Sequence, residues 1–218
     1  MGSNYGGGDL RDQLARVGQA VTQAGLVVGS GGNLSAREPG SDEFWVTAAG
    51  TWLDRLDHGS FVRVRAGDGS VVGDSSALPT TELGLHVATY RVRPDANAIV
   101  HLHPQATVLL DALGQRVRLV TTDHAFYVRR VASTPFRPPG GAELAAVAAE
   151  AVADGTNCVI LAHHGCSVLG DTVEMAHRRA TNLEEAARLT YQALLLTGGL
   201  PGRDIPECPA EFLETGTV

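Results

Sequence analysis

Long apolar runs are missing from this sequence, and no stretch approaches the ~20 residues a helix needs to cross a bilayer. The first residues, MGSNYGGGD, lack the charged and apolar regions of a signal peptide. Neither a membrane anchor nor export is expected, and the cytoplasm is the expected compartment. Cysteine is scarce. Cys158, Cys166 and Cys208 are odd in number and show no CxxC spacing, which argues against a disulfide framework and against a thiolate zinc site and leaves three free thiols. Positive charge is also short, with 17 Lys and Arg against 24 Asp and Glu and a net charge of −7. A sequence-wide basic surface for nucleic acid or anionic membrane is therefore excluded. An anionic substrate would have to be held by local backbone N–H groups and hydroxyls, against the overall field.

What is present suits one compact domain. The chain has 218 residues, 44% of them hydrophobic, enough to bury a substantial core but a tight fit for two domains. Residues 1–8 are glycine-rich and without period, and read as a disordered terminus or an expression scar. Residues 9–198 read as the domain, and residues 199–218, with Pro201, Pro206 and Pro209, as an irregular tail.

Apolar positions Leu10, Leu14, Val17, Ala20 and Val21 predict a first helix over residues 9–24. Next come a strand, a glycine-rich loop and a second strand beginning near Asn33. Residues 44–50 and 61–73 predict further strands, the latter a hairpin turning at Asp68-Gly69. A helix follows Thr80-Thr81, capped by one of the threonines and ended by Pro94. Residues 96–103 predict a short strand, PQATVLLDALG a helix, residues 116–136 short extended pieces, and residues 142–154 an alanine-rich helix. The apolar run 157–165 predicts a buried strand that GCSVLG continues across a turn, and residues 172–197 a long helix. Strands mix with helices without strict βαβ alternation, which favours an α/β fold: a three-layer α/β/α sandwich around a mainly antiparallel central sheet.

Eight histidines carry more information than the charge. His101 and His103 lie two apart on a predicted strand, so both imidazoles leave one face and can share an ion. His163 and His164 end another strand, and alternation lets only one of them face such a site without choosing which. Three neutral imidazoles with open positions suit a catalytic zinc site. An HxH pair alone is as often two polar residues at a sheet edge; a third strand-end histidine and an acidic residue at a helix start move the balance toward metal. His58, His86, His124 and His177 remain alternative ligands, His86 foremost because it lies one helical turn from Glu82.

Ser30-Gly31-Gly32-Asn33 offers approachable N–H groups and an amide suited to a phosphate, although such a cluster by itself is more often a simple turn. Thr80 and Thr81 open a helix, where unpaired N–H donors favour an anion. One threonine would suffice for capping.

Together GSGGNLS (29–35), VTAAG (46–50), LPTTE (78–82), RPDANAIVHLH (93–103) and HHG (163–165) resemble, in order and spacing, the class II aldolase/adducin family. The likeness covers about residues 10–198. It implies a zinc-dependent aldehyde-lyase, or one using another divalent cation, with His101, His103 and His164 as metal ligands. Glu82 is implied as a fourth ligand at rest and the proton carrier in turnover. Substrate phosphate would lie on Gly32, Asn33, Gly50, Thr80 and Thr81; Ala49 stands where the family's turn carries threonine. In the fuculose-phosphate aldolases of this family a tyrosine from a neighbouring subunit protonates the leaving aldehyde. The corresponding stretch here offers Asp123, His124 and Tyr127. The resemblance further implies a phosphorylated sugar as partner and a homotetramer with active sites between subunits. The expected reaction is cleavage of a ketose 1-phosphate, of fuculose or of a 5-deoxyketose, to dihydroxyacetone phosphate and an aldehyde. Epimerase, dehydratase and decarboxylase chemistry could use the same ligands; Ala125 stands where an epimerase would carry an acid. A scaffold of the adducin type would lack the three histidines.

Overall fold

A computed structural model describes residues 8–198, 204–209 and 211–214. Among them, seven strands form one mixed sheet in the order β3-β2-β1-β4-β7-β6-β5. These are β1 (Asn33–Ala36), β2 (Glu43–Thr47), β3 (Phe61–Arg65), β4 (Ala98–Leu102), β5 (Val131–Thr134), β6 (Cys158–Leu161) and β7 (Gly165–Gly170). Every neighbouring pair is antiparallel except β5 with β6. Helices α1 (Leu10–Gln23), α3 (Gln105–Ala112) and α5 (Val173–Thr197) cover one face, and α2 (Leu83–Val92) and α4 (Ala142–Val152) cover the other. The three-layer sandwich expected from the sequence is thus the fold observed.

The pleat sorts the central strands between these layers. In β4, Ala98, Val100 and Leu102 point to the α1/α3/α5 side, while Ile99 packs with Leu85 and Tyr90 of α2. Period two then turns His101 to the α2 side, and in β1 it sends Asn33 and Ser35 there while Leu34 and Ala36 enter the opposite core. Burying each such Leu or Val removes apolar surface worth ~1.5–3 kcal/mol, so the register that seats the core also seats the polar residues.

Helix ends follow local chemistry. Asp9 caps α1 by accepting from the Arg11 N–H at 2.9 Å, and Thr172 caps α5 through the Met175 N–H at 3.1 Å. α3 follows Pro104 and has no cap of its own; buried Glu184 on α5 accepts from the N–H groups of Ala106 and Thr107 and from the Thr107 hydroxyl. That carboxylate ties down the chain as it leaves His103.

Several elements depart from expectation. No strand precedes the glycine loop: Leu26 and Val27 drop into the core directly from the end of α1, where the Leu26 N–H bonds Val21 O, and find no strand to pair with. The hairpin beyond β3 turns at Asp68-Gly69, but its return limb is reduced to a bridge between Val64 and Val71. Within 116–136 the chain forms a π-helical turn, His124–Val128, closed by the Arg129 N–H on His124 O, before β5 begins. Packing against α5 overrides the extended propensity of its residues: Arg179 donates to Tyr127 O and Arg178 to the Tyr127 hydroxyl. In the tail, Glu211–Glu214 forms a helical turn, α6; most of the remaining tail, and residues 1–7, lie outside the described residues. No described helix is long and apolar enough to cross a membrane.

Candidate metal centre

His101 comes from the end of β4, His103 follows two residues later, and His164 comes from the turn joining β6 to β7. Their ring centroids lie 4.9–5.0 Å apart pairwise. Glu82 closes the group from the N-terminus of α2, and one ligand atom from each of the four lies within 4.8 Å of all the others. Nε2 of His101 is 3.1 Å from Nε2 of His103 and 3.0 Å from Oε2 of Glu82. Nε2 of His164 is 3.5 Å from Oε1 of Glu82.

Pleating does not separate His163 from His164, as strand alternation would have it. Both sit in a turn closed by the His164 N–H on Leu161 O at 3.0 Å, and His163 adopts φ 57°, where a side chain costs ~1–2 kcal/mol. That left-handed residue is exposed beside Phe136, and His164 turns inward.

Two glycines make room for the cluster. Gly32 has φ 75°, and a Cβ there would lie 2.7 Å from His101 O. Gly165 has an ordinary φ, but its Cβ would fall 2.2 Å from Leu102 O and 2.7 Å from the His103 ring. Side chains at either position would push the strand bearing the histidines away.

The donor set fits a divalent cation. His101 bonds the Cys166 carbonyl at 3.0 Å through Nδ1, a contact that would keep the ring proton there once a cation took Nε2, which faces the cluster. Burial, aided by the neighbouring His101 and His164, pushes His103 down to about 4, and burial also lowers His164, so both rings are neutral, as ligands must be. Burial works to raise Glu82, but the hydrogen bond and charge of His101, then His164 and the Asn33 amide, outweigh it and hold the carboxyl at about 2. Glu82 Oε1 and His164 Nδ1 are buried without a hydrogen bond among the described residues, a costly condition that a bound cation would relieve for a facing oxygen.

Beside the cluster lies a cavity of about 390 Å³. Gly32, Asn33, Gly50, Thr80 and Thr81 all line it, as do Glu82, His103 and His164. Its far wall is held by the bridge between Ala48 and Pro79 and by the Thr80 N–H on Thr47 O. Thr80 Oγ1 accepts from the Glu82 N–H at 3.3 Å, but Glu82 itself is the N-cap of α2 and no side chain caps the helix, so the expected threonine cap is not formed. The Asn33 amide is committed at both ends, donating to Glu82 Oε2 at 2.9 Å and facing His86 Nε2 at 2.5 Å. Thr51, absent from the sequence-derived set, also lines the cavity, two positions past Ala49; its proximity to Gly50 was the available signal.

Asp123, His124 and Tyr127 do not line this cavity. They belong to the π-helical turn against α5, where buried His124 lies 3.5 Å from Glu185 and the Tyr127 hydroxyl accepts from Arg178. The alternative ligands are also elsewhere: His58 pairs with Asp12, His86 sits behind Asn33, and His177 lies on α5. Cys158 and Cys166 are buried free thiols and Cys208 a half-buried one.

The model of the class II aldolase and adducin N-terminal domain matches residues 12–191. The chain belongs to this family. An L-fuculose phosphate aldolase of Methanocaldococcus jannaschii is 30% identical over 186 residues, spanning 85% of this chain and 98% of the relative. A 3-oxo-tetronate 4-phosphate decarboxylase of Escherichia coli K12 is 31% identical over 187 residues, 84% of this chain and 86% of that one. Among solved structures, an L-fuculose 1-phosphate aldolase superposes with a TM-score of 0.82 at 24% identity, covering 98% and 97% of the two chains; at that identity it speaks for the fold.

Proposed function

We propose that this chain is a divalent-metal lyase, with zinc the first candidate, that cleaves a ketose 1-phosphate to dihydroxyacetone phosphate and an aldehyde. The observation that carries the reading is the convergence of three imidazoles and one carboxylate within 4.8 Å, with Glu82, His103 and His164 on the wall of a cavity whose other residues offer hydroxyl and backbone donors. His101, His103, His164 and Glu82 would hold the cation, which when bound supplies Lewis acidity for the electron pair released as the carbon–carbon bond breaks.

The chain's own groups do the rest. Gly32, Gly50, Thr80 and Thr81, with Ser30 and Thr51 beside them, would take the phosphate, set apart from the negative surface by backbone donors at the N-terminus of α2. That grip positions C3 and C4 of the sugar before Glu82. Glu82 takes the proton of the C4 hydroxyl as the C3–C4 bond opens and the aldehyde forms, and a proton is returned to C3, so the products balance the substrate. Asp123, His124 and Tyr127 of a second subunit would serve the departing aldehyde, in a homotetramer whose sites lie between chains. Among the described residues no tyrosine lines the cavity, which suits a 5-deoxyketose at least as well as fuculose.

The test is a screen of ketose 1-phosphates with zinc present, reading triose phosphate and aldehyde together. Release of both supports the reading. Release of carbon dioxide from 3-oxo-tetronate 4-phosphate, with no ketose 1-phosphate cleaved, would replace it with the decarboxylase chemistry named for the E. coli relative.

A further inference from the structure

Behind Glu82 runs a continuous line of buried side chains. Asn33 Nδ2 lies 2.9 Å from Glu82 Oε2, Asn33 Oδ1 lies 2.5 Å from His86 Nε2, His86 Nδ1 lies 2.7 Å from Ser35 Oγ, and Ser35 Oγ lies 2.9 Å from the Tyr90 hydroxyl. Ser35 and His86 are 0% exposed, Tyr90 2%, Asn33 4% and Glu82 8%, so water does not substitute for any link. Two elements build it: alternate residues of β1 and residues one turn apart on α2, Glu82, His86 and Tyr90.

Donor and acceptor roles along this line are fully determined. A carboxylate only accepts, so Asn33 turns its NH₂ to Glu82 and its oxygen to His86. That oxygen needs a donor, which puts the His86 proton on Nε2 and leaves Nδ1 to accept from the Ser35 hydroxyl. Ser35 in turn accepts from Tyr90. Burial keeps His86 neutral, with its proton affinity pushed down to about 3, so a single tautomer fits. At the front, Oε2 of Glu82 accepts from Asn33, while Oε1 makes no hydrogen bond among the described residues and faces His164.

We infer that this chain of hydrogen bonds from Tyr90 through Ser35, His86 and Asn33 pins Oε2 of Glu82 and leaves Oε1 as the oxygen that carries the proton, which makes His86 a positioning residue for catalysis. The inference rests on the proposed role of Glu82. His86 itself touches neither substrate nor cation; it locks the amide that aims the carboxylate. Losing the donor at either His86 nitrogen lets the Asn33 amide turn over and present its oxygen to Glu82, where two acceptors repel.

Three variants and two readouts test this. In the metal-free protein, two-bond proton–nitrogen correlations of the imidazoles report a proton on Nε2 of His86, and Ser35→Ala shifts that ring away from a single Nε2–H form. In the zinc-loaded protein, Ser35→Ala and His86→Phe lower kcat about 10–100-fold, the usual cost of losing an outer hydrogen-bond partner, with KM and zinc content unchanged. His86→Gln, which can accept from Ser35 and donate to Asn33, recovers most of the loss. A wild-type His86 protonated on Nδ1, a Ser35→Ala protein with wild-type kcat, or a His86→Gln protein no better than His86→Phe would each overturn the inference. Should His86→Phe not fold, the tautomer and Ser35→Ala decide alone. Failure of the underlying functional reading appears separately, as a wild-type chain that cleaves no ketose 1-phosphate.

Discussion

The middle of the sheet and its β5 edge solve different problems. Around β1, β4 and β7, antiparallel pairing places Asn33 opposite His101 and His101 opposite Ser167, and Asn33 and His101 each bond a buried neighbour. At the β5 edge the chain passes through a π-helical turn, then a tight turn at Arg129 with φ 60° and ψ −56°, in which the Arg130 N–H bonds Val128 O at 2.6 Å. A non-glycine residue there is strained, and strain of this kind persists where surrounding contacts impose it. The centre gathers, within one chain, three imidazoles and a carboxylate that could hold a metal ion. At the edge, Asp123, buried His124 and Tyr127 stand in or beside the π-helical turn, outside the cavity that adjoins the cluster.

The sharpest way to break this contrast is to remove a central ligand. His101→Ala is expected to lose the bound cation and, with it, several kcal/mol of transition-state stabilisation, a fall on the order of 10³-fold in kcat/KM. Metal analysis and a cleavage assay check both, and stripping the wild type with a chelator should reproduce the loss until zinc is restored. Next, Glu82→Gln should keep the metal yet lower kcat by about 10²–10⁴-fold, the range for a lost general acid or base. Unchanged turnover would remove Glu82 from the mechanism.

At the edge, Tyr127→Phe tests the group proposed to serve the departing aldehyde. A loss of roughly 10²-fold in kcat with full metal content is expected, the low end for such a group. Mixed with Glu82→Gln under conditions of subunit exchange, it should regain activity only if one site draws on two chains. If the mixture stays inactive, the shared-site picture is wrong. The smallest effect belongs to the turn: His163→Gly should raise stability by about 1 kcal/mol in denaturant melts by removing left-handed strain, with the cation retained, because His164 and not His163 faces the cluster.

The same contrast explains what could be read in advance. Period two in residues 98–102 reports faithfully on a buried strand, so the shared face of His101 and His103 was legible from spacing. His164 was not, because a turn and not a pleat orients it; the choice over His163 came from family resemblance. The π-helical turn went unread because one i+5 hydrogen bond and the grip of α5 leave no periodic trace in five residues. His86 was suspected from its helical spacing to Glu82, yet its partners, Asn33 and Ser35, are more than fifty positions away and only the sheet brings them to it.

Gly165 shows where tolerance to substitution ends. Its backbone would accept any amino acid, since nothing in its dihedral angles is special; what forbids a replacement is the carbonyl of Leu102 standing where the first side-chain carbon would go. The third letter of HHG is therefore a spacer of zero width, and a single methyl group inserted there would wedge β7 away from its sheet neighbour β4 and pull three imidazoles out of mutual reach.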